Sequence, residues 1–162
     1  MALGTPGRRL PIPEELTDFL TDLLGQPATV SKSTAIDFFD EDKVFLTGRY
    51  LDDKDRLICA CIADIPLAAT AGAALALIPR ETVNEAVNAG KLDENLGDNF
   101  YEVVNILSKF LNGPTVPHVR LTEVVQGVPE DAVALMRGAT RRKDYVVTVI
   151  GYPGGKLAFL GI

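Results

Sequence analysis

Four polar side chains, Asp98, Glu102, Asn105 and Lys109, recur at spacings of four, three and four. On an α-helix that spacing places them in one row along a single face. The row combines carboxylates with a carboxamide, and the combination limits its chemistry. A carboxylate and a carboxamide one turn apart are not a nucleophile–base pair. They can dock a cation and orient a water. An amide both donates and accepts hydrogen bonds, so it can hold a water in line for attack without taking its proton. Positioning of this kind carries much of the catalysis in phosphoryl transfer. Asn105 also stands out on propensity, because its amide competes for backbone hydrogen bonds and costs about 0.5 kcal/mol relative to Ala inside a helix. The competing reading is a solvated helix face with no further role.

Other candidate chemistry is thinner. His118 is the only histidine, and nothing in the sequence places a nucleophile and an orienting acid beside it. Cys59 and Cys61 alternate in a strand-like run, so both point to one face of a sheet as buried free thiols. With a single His and no further Cys, a structural zinc site lacks soft ligands. Gly151, Gly154 and Gly155 lack the following helix of a dinucleotide fingerprint and read as a turn. Arg137, Arg141, Arg142 and Lys143 form the one basic cluster. It reads as a solvated hairpin tip, with a phosphate or acidic partner as the alternative. The acidic turns 40–42 and 52–55 lack the ligand spacing and glycine of a calcium-binding loop.

The element that must carry the row is the longest helix in the sequence, predicted over 92–112. Leu96, Phe100, Val103, Val104, Leu107 and Leu111 make its apolar face, widened by Ile106 and Phe110. Before it, the pattern predicts a helix over 13–24 with Pro13 in its first turn and Gly25 beyond its end. Strands are predicted over 35–39, 43–51 and 57–63, the last continuously apolar and therefore central. A helix over 66–77 is rich in small residues that allow close packing, and an amphipathic helix over 80–89 is stopped by Gly90. After the long helix, strands are predicted over 118–126, 133–137, 145–150 and 156–160, the last two joined as a hairpin. Strands, then helices, then strands indicate an α+β fold with an antiparallel sheet and helices packed on it.

The chain has 162 residues, 47% of them hydrophobic, which suits one domain with a full core. Residues 1–12 read as a loose segment and 13–162 as a single domain. The net charge of −6 argues against a nucleic-acid binder. No signal peptide is visible, the apolar run 65–78 is too short to span a membrane, and free thiols suit a reducing compartment. The cytoplasm is the expected location.

The run Asp98-x-x-x-Glu102-x-x-Asn105 resembles the signature of the CheC/CheX/FliY family of chemotaxis phosphatases, in which Asp or Ser precedes Glu-x-x-Asn. The order of elements is similar over roughly 13–162, and the single signature helix resembles CheX most. The resemblance implies a phosphatase that removes the phosphoryl group from the aspartyl-phosphate of a CheY-type receiver. Glu102 would pair with a receiver lysine, Asn105 would orient the attacking water, and Asp98 would support them. The chain would carry no cofactor of its own, since Mg²⁺ belongs to the receiver. Homodimerisation is also implied, with an exposed strand near the C-terminus as a means of sheet extension. The alternative on the same fold is a non-catalytic module that binds a receiver or another signalling protein. The sequence departs from the family where bulkier Ile106, Leu107 and Lys109 replace small residues after the Asn. The downstream family Pro has only Pro129 as a counterpart. Glu-x-x-Asn also occurs at Glu81/Asn84 and Glu85/Asn88, without Asp or Ser four residues ahead.

Overall fold

The computed structural model describes residues 8–138 and 141–162. Helix α1 (Pro13–Leu24) leads into strand β1 (Ala28–Lys32), followed by β2 (Phe45–Leu51) and β3 (Leu57–Asp64). Three helices come next: α2 (Ile65–Leu75), α3 (Arg80–Ala89) and α4 (Glu94–Leu107), the last continued by a 3₁₀ turn at Ser108–Phe110. The chain closes with β4 (Arg120–Gln126), α5 (Glu130–Arg137), β5 (Arg141–Val149) and β6 (Gly155–Gly161).

The strands form one sheet in the order β1-β5-β6-β3-β2-β4, and every pairing is antiparallel. The α+β architecture expected from the sequence is therefore present, with the apolar β3 at its centre. Alternation along the strands sorts the core into two sides. Cys59, Cys61, Tyr50, Tyr145, Val147 and Phe159 face one side, where residues of α1, α2 and α4 cover them. Ala60, Ile62, Ala158 and Leu160 face the other, beneath Ile36, Phe38 and Leu135 of α5.

One edge of the sheet is sealed by a helix. Thr17 and Thr21 lie one turn apart on α1, and their hydroxyls meet alternate residues of β1. Val30 N–H donates to Thr17 Oγ1 at 2.9 Å and Ala28 N–H donates to Thr21 Oγ1 at 3.0 Å. Thr21 returns a bond to the Ala28 carbonyl at 3.2 Å. The match is metric: four helical residues rise about 6.0 Å and two strand residues about 6.7 Å. Unpaired edge groups are thereby satisfied without another strand. The opposite edge is β4, which among the described residues pairs only with β2.

Several expectations are corrected. Residues 35–39 are not a strand. Ile36 N–H is taken by the Asp144 carboxylate at 2.8 Å and Phe39 N–H by Asp37 at 2.9 Å, so the backbone turns instead of pairing. The strand in this region is β1, whose short, polar sequence hid it. Residues 133–137 belong to a helix. Glu130 and Asp131 favour its first turn and Arg137 its last, and buried Ala132 and Leu135 lie three apart. A short apolar run fits helix and strand equally well until such flanking charges are weighed. The basic cluster is consequently no hairpin tip: Arg137 ends α5, while Arg141, Arg142 and Lys143 begin β5. The strands nearest the C-terminus, β5 and β6, both lie inside the sheet, so they offer no free edge for sheet extension. Of the segment read as loose, residues 1–7 fall outside the described residues. Arg8, Leu10 and Pro11 are buried, and Arg8 donates to the carbonyls of Leu111 and Pro117.

Candidate functional site

Helix α4 begins at a side-chain cap: Asp93 accepts the Leu96 N–H at 2.8 Å. Leu96, Phe100, Val103, Val104 and Leu107 are buried, as the periodicity predicts. Two glycines let this face come close to its neighbours. A Cβ at Gly72 of α2 would lie 2.6 Å from the Leu96 carbonyl oxygen, and a Cβ at Gly48 of β2 would lie 2.6 Å from Val104 Cγ1. Asn99 fastens the helix crossing by donating to the Gly72 carbonyl at 3.0 Å. The small residues of α2 thus do what their size suggests.

The α-helix ends beside a contact the sequence does not show. Tyr50 of β2, wholly buried, donates its hydroxyl to the Val104 carbonyl at 2.6 Å. That carbonyl would otherwise accept the Ser108 N–H in a continuing α-helix. The Ser108 N–H bonds to the Asn105 carbonyl instead, and the chain tightens into the 3₁₀ turn. The helix predicted over 92–112 is therefore shorter at both ends, and Asn105 sits at the junction between two helical forms.

Asp98, Glu102 and Asn105 are all exposed. Among the described residues none of these three side chains makes a hydrogen bond or an ion pair. Lys109 is exposed too, but its ammonium is drawn aside, lying 4.3 Å from the Phe19 ring centre and 5.1 Å from that of Phe110. Those rings meet edge to face at 5.2 Å. The structure therefore brings three of the four row members into one open stripe of two carboxylates and a carboxamide, with the lysine turned away. Unengaged donors and acceptors at this place can take a partner's cation and a water.

The repeated patterns Glu81/Asn84 and Glu85/Asn88 are also exposed, on α3. Exposure alone does not separate them from the α4 stripe. The residue four positions before Glu81 is Leu77, exposed and with a positive φ of 57°, and no helix end of the α4 kind shapes either Asn. Pro129 caps α5, across the sheet from α4. His118 is exposed and precedes β4.

Cys59 and Cys61 are free and buried on the same face. Burial pushes the Cys59 thiol up to about 11 and the Cys61 thiol higher still, so neither is a poised nucleophile. Among the described residues no three His, Cys, Asp or Glu side chains group as a metal site would. No helix of the described residues is long and apolar enough to cross a membrane. Sequence reasoning missed Tyr50. Its partner lies 54 residues away, and no local pattern marks such a pairing.

No protein-family model matches the sequence, and no curated protein matches it. Solved structures do match in fold. The middle domain of FliM from Vibrio alginolyticus superposes with a TM-score of 0.58 at 10% identity, covering 91% of this chain and 86% of that one. FliY from Thermotoga maritima matches at 0.45 and 10% identity, covering 89% and 80%. CheX in its complex with CheY, BeF₃ and Mg²⁺ from Borrelia burgdorferi matches at 0.38 and 11%, covering 89% and 90%. The likeness to FliM establishes that this chain has the fold of that domain.

Proposed function

We propose that this chain is a response-regulator phosphatase acting on the aspartyl-phosphate of a CheY-type receiver. The observation that carries the proposal is the open stripe on α4. Glu102 and Asn105 stand one turn apart, exposed and unengaged, on a helix fixed to the sheet from below. Glu102 supplies a carboxylate for a receiver lysine, and Asp98 adds negative charge one turn earlier. The Asn105 carboxamide holds a water through its oxygen and orients it toward phosphorus. The water oxygen bonds to phosphorus as the acyl P–O bond breaks. The bonding pair leaves on the receiver's aspartate carboxylate, and inorganic phosphate carries the water's protons. The divalent ion in this scheme belongs to the receiver, and this chain adds no cofactor.

A second reading is a docking module without hydrolysis. The observation in its favour is that among the described residues no hydrogen bond holds the Asn105 side chain. Docking tolerates that freedom, whereas catalysis by positioning requires the partner to remove it. The decay of a phosphorylated receiver, followed with and without this chain, decides between the readings. Acceleration that Asn105→Ala abolishes while binding survives supports the phosphatase. Binding without acceleration, with every receiver of the same genome, replaces it by the docking module. If the chain dimerises by sheet extension, β4 is the edge left to do so. A monomer in sedimentation equilibrium at high concentration excludes that assembly.

A further inference from the structure

The basic residues that open β5 are not absorbed by the α4 stripe. Two of them, Arg142 and Lys143, line a half-open cavity of about 550 Å³ bordered by the end of β1, the loop after it, the start of β5 and the first residue of α1. That size lies within the range of small-molecule sites. Lys32 pairs in register with Tyr145 across β1 and β5, and Lys143 lies two residues before Tyr145. The two lysines therefore flank Tyr145 on the helix-covered face of the sheet, on a diagonal of about 7–8 Å between strands.

The charges around the cavity divide into those already used and those left over. Arg142 makes a two-pronged pair with Asp144, at 2.8 Å from each oxygen, and also donates to the Ile36 carbonyl. Glu15, which also faces Lys143, is held by Arg9 at 2.9 Å and by the Ile12 N–H at 3.0 Å. Among the described residues Lys143 makes one hydrogen bond, a long 3.5 Å contact with the Leu10 carbonyl, besides its electrostatic pull on Glu15. Lys32 makes none among the described residues. Two uncompensated ammonium groups thus face one cavity in a protein of net charge −6. The remaining wall is Pro13, Ser33, Ala35 and Tyr145. Tyr145 is buried, with its hydroxyl bonded to the Pro11 carbonyl at 2.5 Å, so Pro13 and Ala35 are the apolar groups left to meet a ligand.

We infer that this cavity is a binding site for a phosphate monoester carried on an apolar body. Two lysines match the near-double negative charge of a monoester at neutral pH; a single carboxylate would leave one of them uncompensated. Pro13 and Ala35 take the body. The site shares no residue with the α4 stripe, so it stands or falls apart from the phosphatase proposal.

The test is isothermal titration of the full chain with phenyl phosphate, with phenol and inorganic phosphate as controls. Saturable binding of phenyl phosphate is expected, displaced by inorganic phosphate and weakened by added salt, with no binding of phenol. The double variant Lys32→Ala/Lys143→Ala loses at least tenfold in affinity. Lys32→Arg/Lys143→Arg keeps it, and Asn105→Ala leaves it unchanged. Both lysines are exposed, so the variants fold, which circular dichroism checks. Absence of phenyl phosphate binding overturns the assignment. So does phenol binding as tightly, or equal affinity in the alanine double variant.

Discussion

The hydroxyl of Tyr50 on β2 reaches the carbonyl of Val104 on α4 at 2.6 Å, fully buried. This bond joins the sheet to the helix one residue before Asn105, and the α-helix gives way to a 3₁₀ turn three residues later. Tyr50→Phe removes the donor and leaves the carbonyl to find another. A loss of about 1–2 kcal/mol in chemical denaturation is expected. The freed Val104 carbonyl can then accept the Ser108 N–H, extending the α-helix. Hydrogen exchange at the Ser108 amide reports this. Unchanged stability together with unchanged exchange would mean that Tyr50 does not set the helix end.

Asn105 is exposed, and among the described residues its side chain makes no hydrogen bond. Asn105→Ala is therefore expected to leave stability within about 0.5 kcal/mol, with any change toward greater stability from the better helix propensity of Ala. Receiver dephosphorylation, by contrast, is expected to fall by about 100-fold or more if the amide positions water. Thermal denaturation and phosphate release measured on one preparation separate the two effects. A large loss of stability would show that the residue is structural.

The seal on β1 rests on two hydroxyls. Thr17→Val/Thr21→Val keeps the helix shape and removes both acceptors, leaving the Ala28 and Val30 N–H groups without their partners at a covered edge. A destabilisation of about 1–3 kcal/mol for each unsatisfied group is the upper expectation, reduced where water reaches the edge. The variant is also expected to self-associate more, since an open strand edge pairs with others. Urea denaturation and light scattering read both. A monodisperse variant of unchanged stability would show that α1 does not guard the edge.

Alkaline pH acts through the thiols. Burial raises Cys59 from its ordinary 9.0 to about 11, and raises Cys61 further. The folded state therefore keeps both protons where the unfolded chain begins to lose them. Their contribution is fully present below pH 9 and is lost as pH rises through 9 toward 11. A fall in stability over that window is expected, less steep in Cys59→Ala/Cys61→Ala once their separate packing loss is allowed for. At pH 8 neither thiol should react with iodoacetamide until denaturant unfolds the chain. Rapid labelling of the native protein would contradict the burial.

The sequence by itself determined the parts of this protein that depend on local period and chemistry. The buried face of α4, the small-residue packing of α2, the central place of β3 and the row Asp98–Glu102–Asn105 were all legible, because each repeats at the spacing of its own element. The motif resemblance pointed to the fold family in which the structural neighbours lie, because signature spacing and element order are properties of sequence. Short segments were another matter. Residues 35–39 read as a strand and 133–137 as another, because a short, mainly apolar segment satisfies either period. Their fate was set by Asp144, which captures the Ile36 N–H from 108 residues away, and by the charges that flank α5.

Only the tertiary structure decided where the long helix stops, which edge of the sheet is closed, and where Lys109 points. Each outcome depends on a contact between elements far apart in the chain: Tyr50 with Val104, Thr17 and Thr21 with β1, Lys109 with Phe19. Hydrogen bonds and ring contacts of this kind are fixed by geometry within a few ångströms. No residue's type or spacing records which distant partner will occupy that space. The cavity between Lys32 and Lys143 has the same origin, since antiparallel pairing across β1 and β5 brings together two lysines 111 positions apart.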